Sequence, residues 1–325
     1  MDLSRIRQNS FVVVGRAGMD FYPDPPGTRT EDATHFVSCL GGSSANISAA
    51  ITRLGGAATL VTCVSDDAIG RFCLNQLDHY SIGKDHVRLV GGEARNSLAV
   101  VESRVEDHQS VIYRNGAADF EMIDADVEAV NYADYGAYIT TGTVFAAEPS
   151  RSAAFKSMEL ARDGGLPVIF DVDYRPYSWP SAEIASEVYS RAADLCDIVI
   201  GNDVEFGFMA GDYENGLAKA RQLANSSAQI VVYKMGEKGS ITFADGIEFE
   251  TGIFPAKPLK PTGAGDAFMG GFIASLAAGM SVSQSVRRGS ASAAMVVGRV
   301  GCAPAMPTSE ELDQFLAENE HTVAG

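Results

Sequence analysis

The first hundred residues alternate between short continuous apolar runs and segments with helical spacing. Residues 11–15 (FVVVG) and 58–64 are apolar runs rich in β-branched side chains, which is typical of strands buried on both faces. Apolar side chains recur every three or four residues from 43 to 54, where two glycines follow, and again over 69–80. This alternation predicts a parallel sheet with helices packed on its faces.

The pattern changes between residues 97 and 114. Two strand-like runs, 97–105 and 110–114, are separated only by a polar turn at 106–108. With no helix between them they should form an antiparallel hairpin that projects from the main sheet, and segment 16–37 is expected to contribute to it.

Strand and helix alternate again after residue 136, and the last third of the chain is helical. We predict strands at 137–141, 168–171, 198–200 and 230–234, helices near 150–163, 181–193 and 214–224, and then helices at 264–279 and 281–298. Thr308 with Glu311 three residues later is a capping-box pattern that opens a final helix. We see no internal repeat or linker, so residues 1–325 should form one α/β domain with a small β appendage.

Composition and charge exclude several classes of function. Apolar residues make up 46% and charged residues 21% of the chain, as in soluble globular proteins. A formal net charge of −17 disfavours nucleic acid and anionic membrane surfaces as partners. The longest apolar stretch, 267–280, is too short to span a bilayer, and the first ten residues do not resemble a signal peptide. Five scattered cysteines without zinc-ligand spacing favour a reducing, cytoplasmic location.

The strongest chemical signal is the sequence KPTGAGD at 260–266, directly before an apolar helix. Small residues at a helix start let a ligand approach the backbone, and the free amides and the helix dipole there attract anions. A carboxylate at Asp266 beside such a site fits a general base that deprotonates a hydroxyl while the amides stabilise a transferring phosphoryl group. The alternative is that Asp266 only caps the helix and the glycines only form a turn.

Other glycine motifs narrow the choice. The chain has no GxxxxGK stretch followed by Ser or Thr, and no complete GxGxxG after the first strand, which excludes a Walker-type NTPase and weakens a dinucleotide-binding interpretation. A second glycine-rich helix start, GGSSAN, lies at 41–46. Together with the hairpin and the stretch KPTGAGDAFMGGFI, it resembles the ribokinase-like (PfkB) family of sugar kinases over residues 12–316. The resemblance implies a three-layer αβα core with a mainly parallel sheet, and a small β lid formed by roughly 16–37 and 95–116.

The resemblance also implies catalytic roles. Asp266 matches the catalytic base of the family, and the backbone of Gly263, Ala264 and Gly265 matches its anion hole for the γ-phosphoryl group of ATP. The lid would close over the sugar and keep water from the phosphate. The reaction would use ATP with Mg²⁺.

On the nucleotide side, two further elements match the family. Asn202 and Glu205, in the sequence NDVE, match an element that organises magnesium and phosphate, although no direct metal ligand is assigned. Lys234, Gly236 and Gly239 match the loop that approaches the nucleotide. The residue-level alternatives are that Asn202 and Glu205 merely open the next helix, and that Lys234 extends its ammonium group from a buried strand end to solvent.

Four other positions match sugar-contacting residues of the family, namely Asp20, Gly41, Gly42 and Asn46. Segments 15–20, 171–179 and 302–308 resemble the members that phosphorylate keto-deoxy sugar acids, with 5-dehydro-2-deoxy-D-gluconate of inositol breakdown, converted to its 6-phosphate, as the expected substrate.

A sugar acid needs a cationic anchor. Arg16, Arg114 and Arg175 lie at strand ends or in the presumed lid, where a carboxylate would bind. The alternatives are that Arg175 only pairs with Asp171 or Asp173, and that Arg114 lies at a solvated hairpin end.

The sequence leaves other functions open. Within the same family the substrate could be 2-keto-3-deoxygluconate, fructose or a nucleoside, and a non-catalytic sugar-binding regulator on the same fold is a further alternative. A nicotinamide dehydrogenase is a distant third. The apolar hairpin residues Leu98, Val100 and Val111 permit a homodimer through the lid without requiring it.

One departure from the family generates a prediction. Many relatives carry an Asp six residues before the catalytic Asp as part of a monovalent-cation site, and this chain has Lys260 there. Because the lysine ammonium takes the place and charge of such an ion, we expect no potassium activation. Initial rates measured in potassium chloride and in an inert cation at equal ionic strength should agree, and a clear rise in potassium would contradict the prediction.

Overall fold

The computed structural model describes residues 2–320, which contain thirteen strands and ten α-helices, numbered in chain order. Nine strands form the large sheet, in the order β13-β12-β11-β10-β9-β8-β1-β4-β5. They are β1 (Ser10–Val14), β4 (Ala57–Ser65), β5 (Gly83–Val90), β8 (Ala137–Thr141), β9 (Val168–Asp171), β10 (Ile198–Asn202), β11 (Ile230–Lys234), β12 (Ser240–Ala244) and β13 (Ile247–Thr251). Pairing from β5 through β11 is parallel, and β12 and β13 are antiparallel.

Helices cover both faces of the large sheet. They are α1 (Ser43–Arg53), α2 (Ala68–His79), α3 (Asp124–Glu128), α4 (Ser150–Asp163), α5 (Ala182–Asp194), α6 (Asp203–Ala210), α7 (Gly216–Ser226), α8 (Ala264–Ala277), α9 (Val282–Val297) and α10 (Ser309–Glu318). In β1, Val12 and Val14 enter the core beneath α3 to α7, whereas Phe11 and Val13 enter the core beneath α1, α2, α8 and α9. Alternate side chains of one strand therefore fill two cores, and the predicted three-layer αβα arrangement is confirmed.

The small sheet has four strands in the order β3-β2-β6-β7: β2 (Gly18–Pro23), β3 (Phe36–Gly41), β6 (Leu98–Val101) and β7 (Ser110–Tyr113). The predicted hairpin is β6 and β7, which pair antiparallel. The sheet extends to Gly41, beyond the predicted limit at residue 37, because β3 pairs with β2 along its whole length. The first hairpin strand ends at Val101 rather than at residue 105.

Strands β5, β12 and β13 were not predicted from the sequence. Strands β5 and β13 are the two edges of the large sheet, and their residues are mostly half-exposed or exposed, so they lack the continuous apolar signal of a central strand. The predicted helix and strand positions elsewhere are confirmed to within a few residues, including the capping box of Thr308 and Glu311. Between residues 2 and 320, no helix is long and apolar enough to cross a membrane.

Candidate active site

Polar side chains gather where the parallel strands of the large sheet end. Arg16 follows β1, Asp171 ends β9, Asn202 ends β10 and Lys234 ends β11. Because the carboxyl ends of parallel strands meet at one edge, these side chains converge, and Asp266 at the start of α8 contributes to the same electrostatic environment. The structure thus joins residues that lie far apart in the sequence into one site.

The start of α8 has the geometry of an anion site. Its N-cap is Gly263, at φ +87°, and no side chain caps the free amides of the first turn. A β-carbon on Gly263 would lie 2.8 Å from Cys302 Sγ, so only glycine fits both this conformation and this space. Asp266 is the third helical residue rather than the cap, so the alternative in which it merely caps the helix is wrong.

Asp266 lies in the first turn of α8 and is partly exposed. Asn46 Nδ2 of α1 donates a 3.0 Å hydrogen bond to Asp266 Oδ2 and fixes the orientation of the carboxyl group. Burial raises the pKa of Asp266 to about 8, and the negative charges of Asp173 and Asp171 add to the rise. Such a carboxyl group is poised to take up and release a proton near neutral pH.

Lys234 lies beside this helix start. Its Nζ is 3.6 Å from the point where a β-carbon would stand on Gly265, and it lies over the Phe268 ring. Burial raises the pKa of Asp171 to about 7, and Lys234 is the charge that most opposes the rise. Lys234 therefore places positive charge between the acids at the strand ends and the amides of α8, as a phosphate site requires.

Asn202 and Glu205 have a structural role. They form a reciprocal capping box at the start of α6, in which Asn202 Oδ1 accepts from the Glu205 amide at 2.9 Å and Glu205 Oε2 accepts from the Asn202 amide at 2.7 Å. Glu205 Oε1 accepts from the Tyr174 amide, so this buried carboxylate also holds the loop after β9. The predicted alternative that these residues open a helix is confirmed, and their role in magnesium binding stays a prediction.

The two glycines at 41–42 are explained by close approaches. A β-carbon on Gly41 would fall 1.9 Å from Asp20 Oδ1, so the Asp20 carboxyl group occupies that space. Gly42, at φ +96°, would place a β-carbon 2.4 Å from the Arg16 carbonyl oxygen. Because both positions are glycine, the turn between β3 and α1 packs directly against Asp20 and Arg16.

The three predicted arginine anchors have different partners. Arg114 is buried and contacts Asp119 by Nη2 while Nη1 donates to the Thr143 carbonyl at 2.9 Å, so it does not lie at a solvated hairpin end. Arg175 is partly exposed and pairs with Asp173 at 2.7 Å.

The third guanidinium group, that of Arg16, is buried and donates from Nη1 to Ser97 Oγ at 3.0 Å. The charges of all three arginines oppose the effect of burial on the pKa of both Asp173 and Tyr177, so the three guanidinium groups share one electrostatic environment.

Several buried polar atoms in this region lack a partner. Among the residues that the structure describes, Arg16 Nε, Asp20 Oδ1 and Asn46 Oδ1 are buried without a hydrogen bond. Native proteins seldom leave such atoms unpaired unless a ligand or water meets them. These three atoms lie between the small sheet and the start of α8 and are available to a polar ligand.

The remaining predicted residues lie in the turn between β11 and β12 and in the turn before α8. Gly236 and Gly239 shape the turn between β11 and β12, where Gly239 at φ +86° packs against the Thr251 carbonyl. Lys260 is fully buried, and its Nζ donates to the Thr262 carbonyl at 2.5 Å within the turn before α8. Burial lowers the pKa of Lys260, and nearby Cys302 and Asp266 oppose that effect.

Sequence reasoning left four contributors out of the site: Asp171, Asp173, Asp119 and Ser97. Asp171 and Asp173 could have been included, because acids at the end of a buried strand belong to the ligand-binding edge of a parallel sheet. Asp119 and Ser97 carry no such signal, since their roles depend on contacts with Arg114 and Arg16 that only the fold creates.

The acidic groups of the described residues are candidate ligands for a metal ion. Between residues 2 and 320 no group of three or more His, Cys, Asp or Glu side chains is arranged to hold a metal ion. Mg²⁺ commonly binds through one or two carboxylates together with substrate phosphates and water. The buried Asp171, with the Glu205 carboxyl group in the same electrostatic environment, has the ligand chemistry that such an ion requires.

The site predicts an observable titration. In the protein without ligands, the Asp266 carboxyl group should titrate with a midpoint near its raised pKa of about 8. Carbon-13 NMR of carboxyl-labelled aspartate, with Asp266→Asn used to assign the signal, measures it directly. Asp173→Asn should lower the midpoint because it removes the neighbouring negative charge that raises this pKa most. A midpoint near the ordinary aspartate value of about 4 would contradict this description of the site.

Comparison with known proteins agrees with this architecture. The 5-dehydro-2-deoxygluconokinase of Photobacterium profundum is 38% identical over 98% of this chain and 98% of its own length. A fructokinase from Vibrio cholerae O395, in a form with bound fructose, ADP and calcium ion, superposes with a TM-score of 0.81 at 25% identity, covering 94% of this chain and 99% of that one. An ATP-bound fructokinase from Xylella fastidiosa shares the fold, with a TM-score of 0.85 at 22% identity over 96% and 99% of the two chains.

The family assignment follows from the extent of these matches. The model that describes the pfkB family carbohydrate kinases matches residues 8–309, which include the small sheet, the strand ends and the GAGD helix start. The chain belongs to the pfkB family of carbohydrate kinases.

Proposed function

We propose that the chain transfers the γ-phosphoryl group of ATP to the 6-hydroxyl of 5-dehydro-2-deoxy-D-gluconate. The observation that carries the proposal is the position of Asp266, a carboxyl group with a raised pKa, in the first turn of an uncapped helix, near Asp173, whose pKa three guanidinium groups lower. The full-length similarity to a 5-dehydro-2-deoxygluconokinase supports the choice of substrate. A guanidinium group without a carboxylate partner among the described residues, that of Arg16, favours an anionic sugar over a neutral one.

In the proposed reaction, Asp266 accepts the proton of the attacking hydroxyl. Asn46 holds one carboxyl oxygen, and the lone pairs of the other oxygen remain available to the substrate. The oxygen of the sugar attacks the γ-phosphorus, the bond from that phosphorus to the β-γ bridging oxygen breaks, and ADP leaves. The amides of 264–266 and Lys234 stabilise the negative charge of the transferring group. Most of the acceleration then comes from positioning and electrostatics.

Magnesium would accompany the nucleotide. Asp171, together with Asn202 and Glu205, is the set of residues proposed to hold it, and the ion would neutralise phosphate charge. The ATP-bound and ADP-bound fructokinases of the same fold support a nucleotide as the phosphoryl donor.

Replacing the base tests the mechanism. Asp266→Asn should lower kcat by about a hundredfold to ten-thousandfold, because the amide cannot accept the proton, while the KM values for ATP and sugar change little. Its thermal midpoint at pH ~8 should equal or exceed that of the wild type, since the substitution removes a carboxyl group whose pKa is raised by folding. Asp85→Asn, an exposed change on β5, is the matched control. Near-normal turnover by Asp266→Asn would refute the assignment of the base.

A substrate panel tests the specificity. Release of ADP should be measured with 5-dehydro-2-deoxy-D-gluconate, 2-keto-3-deoxygluconate, fructose and a nucleoside. We expect the highest kcat/KM for the first. Preference for a neutral sugar would overturn the proposed substrate, and failure to consume ATP with any sugar would favour a non-catalytic sugar-binding regulator.

The elevated pKa of Asp266 predicts a pH profile. Below about 8 the free carboxyl group is mostly protonated and cannot act as a base, so kcat/KM should rise about tenfold per pH unit and level off above the pKa. An aspartate with the ordinary pKa of about 4 would give a flat profile from roughly pH 6 to 9. Rates across that range, corrected for stability at each pH, distinguish the two.

A further inference from the structure

Of the three arginines around the sugar site, two already have carboxylate partners within the protein. Arg114 contacts Asp119 and also stacks over the Phe120 ring, with 4.0 Å to its centroid. Arg175 pairs with Asp173, and its other amino group donates to the Tyr174 carbonyl. The charges of both are therefore balanced before any ligand binds.

Arg16 is different. Its side chain is 8% exposed, and among residues 2–320 no carboxylate lies within salt-bridge distance of its guanidinium group. The single hydrogen bond that its side chain makes there goes from Nη1 to Ser97 Oγ; Nε is buried without an acceptor, as Arg114 Nε also is, so the difference between the two arginines is the carboxylate partner that Arg16 lacks. A guanidinium group has five donors, so most of its capacity is unused. Burying such a group without a bound anion is unfavourable, which indicates that a ligand supplies the missing charge.

The nearest acid, Asp20, does not fill this role. Its carboxyl group packs against Gly41, accepts from the Tyr22 hydroxyl at 3.4 Å and leaves Oδ1 without a partner. The charge of Arg16 therefore acts on Asp20, but the two side chains form no ion pair. A ligand that carries a carboxylate near a hydroxyl satisfies both, the carboxylate on Arg16 and the hydroxyl on Asp20.

We propose that Arg16 is the specificity-determining residue of the enzyme and binds the carboxylate of the sugar acid, while Arg114 and Arg175 hold protein acids in place. This inference rests on the proposed function in taking a sugar acid as the substrate. Ser97, which precedes β6 of the small sheet, positions Arg16 through its hydroxyl. The carboxylate contact then joins the end of β1 to the small sheet.

The experiment compares two substrates across matched variants. The substrates are 5-dehydro-2-deoxy-D-gluconate and its amide, in which an uncharged CONH₂ replaces the carboxylate at nearly the same size. The enzymes are the wild type, Arg16→Met, Arg16→Lys, Arg175→Met and, as the control, Arg221→Met, which removes an exposed arginine paired with Glu248 on the outer strand β13. Thermal midpoints and the KM for ATP show whether each variant is folded.

For Arg16→Met we expect kcat/KM for the acid to fall by roughly 30-fold or more, and that for the amide by less than about threefold. The preference of the wild type for the acid should therefore collapse. Arg16→Lys should retain part of the preference, because a lysine supplies the charge without the bidentate geometry. Arg175→Met and Arg221→Met should leave the ratio between the two substrates unchanged.

Two outcomes would overturn the inference. Equal losses for acid and amide in Arg16→Met would show that Arg16 only supports the structure, and a collapse of the preference in Arg175→Met instead would make Arg175 the anchor.

A binding measurement separates this inference from the proposed function. If the wild type phosphorylates neither substrate, the proposed function fails, and calorimetry of gluconate, 2-keto-3-deoxygluconate and their amides then tests Arg16 alone. Tighter binding of acids than amides by the wild type, abolished in Arg16→Met, would support the anchor. Equal binding of acids and amides by the wild type would reject it.

Discussion

Three carboxyl groups lie close together and largely out of water at one edge of the large sheet, where their negative charges repel one another. The arrangement of the site depends on the positive charges that balance them. Asp171, Asp173 and Asp266 gather at the carboxyl edge of the large sheet, and their mutual repulsion adds to burial in raising the pKa of Asp266. The uncapped start of α8, Lys234 and Arg175 supply the opposing charge. An incoming phosphate would meet the cations, and an incoming hydroxyl would meet the base.

The small sheet and the glycine-rich turn before α8 are physically connected. The Tyr22 hydroxyl of β2 lies 3.2 Å from Cys302 Sγ, and Cys302 fills the space beside Gly263 that a side chain would need. Asp20 on the same strand packs against Gly41 at the start of the other glycine-rich turn. Side chains of β2 therefore reach both glycine-rich turns, Gly41 directly through Asp20 and Gly263 through the contact of Tyr22 with Cys302.

The core strands and the chemical motif could be predicted from the sequence, whereas the edge strands and the partners of the charged residues could not. Central strands such as β1 and β9 are continuous apolar runs, so their burial is written into local composition. Strands β5 and β13 have mixed exposure and depend on a neighbour for their pairing. Likewise the three arginines were recognised as candidates, but nothing local distinguishes Arg16, which has no carboxylate partner among the described residues, from Arg114, which contacts Asp119.

The amino-acid sequence by itself determined the alternation of strands and helices, the glycine turns and the acid at the start of α8. Each of these depends on residues within a few positions of one another, where steric and periodic constraints act directly. The tertiary structure decided the elevated pKa of Asp266, its hydrogen bond from Asn46 and the separate fates of the three arginines. Those properties arise from charges and solvent exclusion contributed by distant segments, and electrostatic energies follow distance in space rather than separation along the chain.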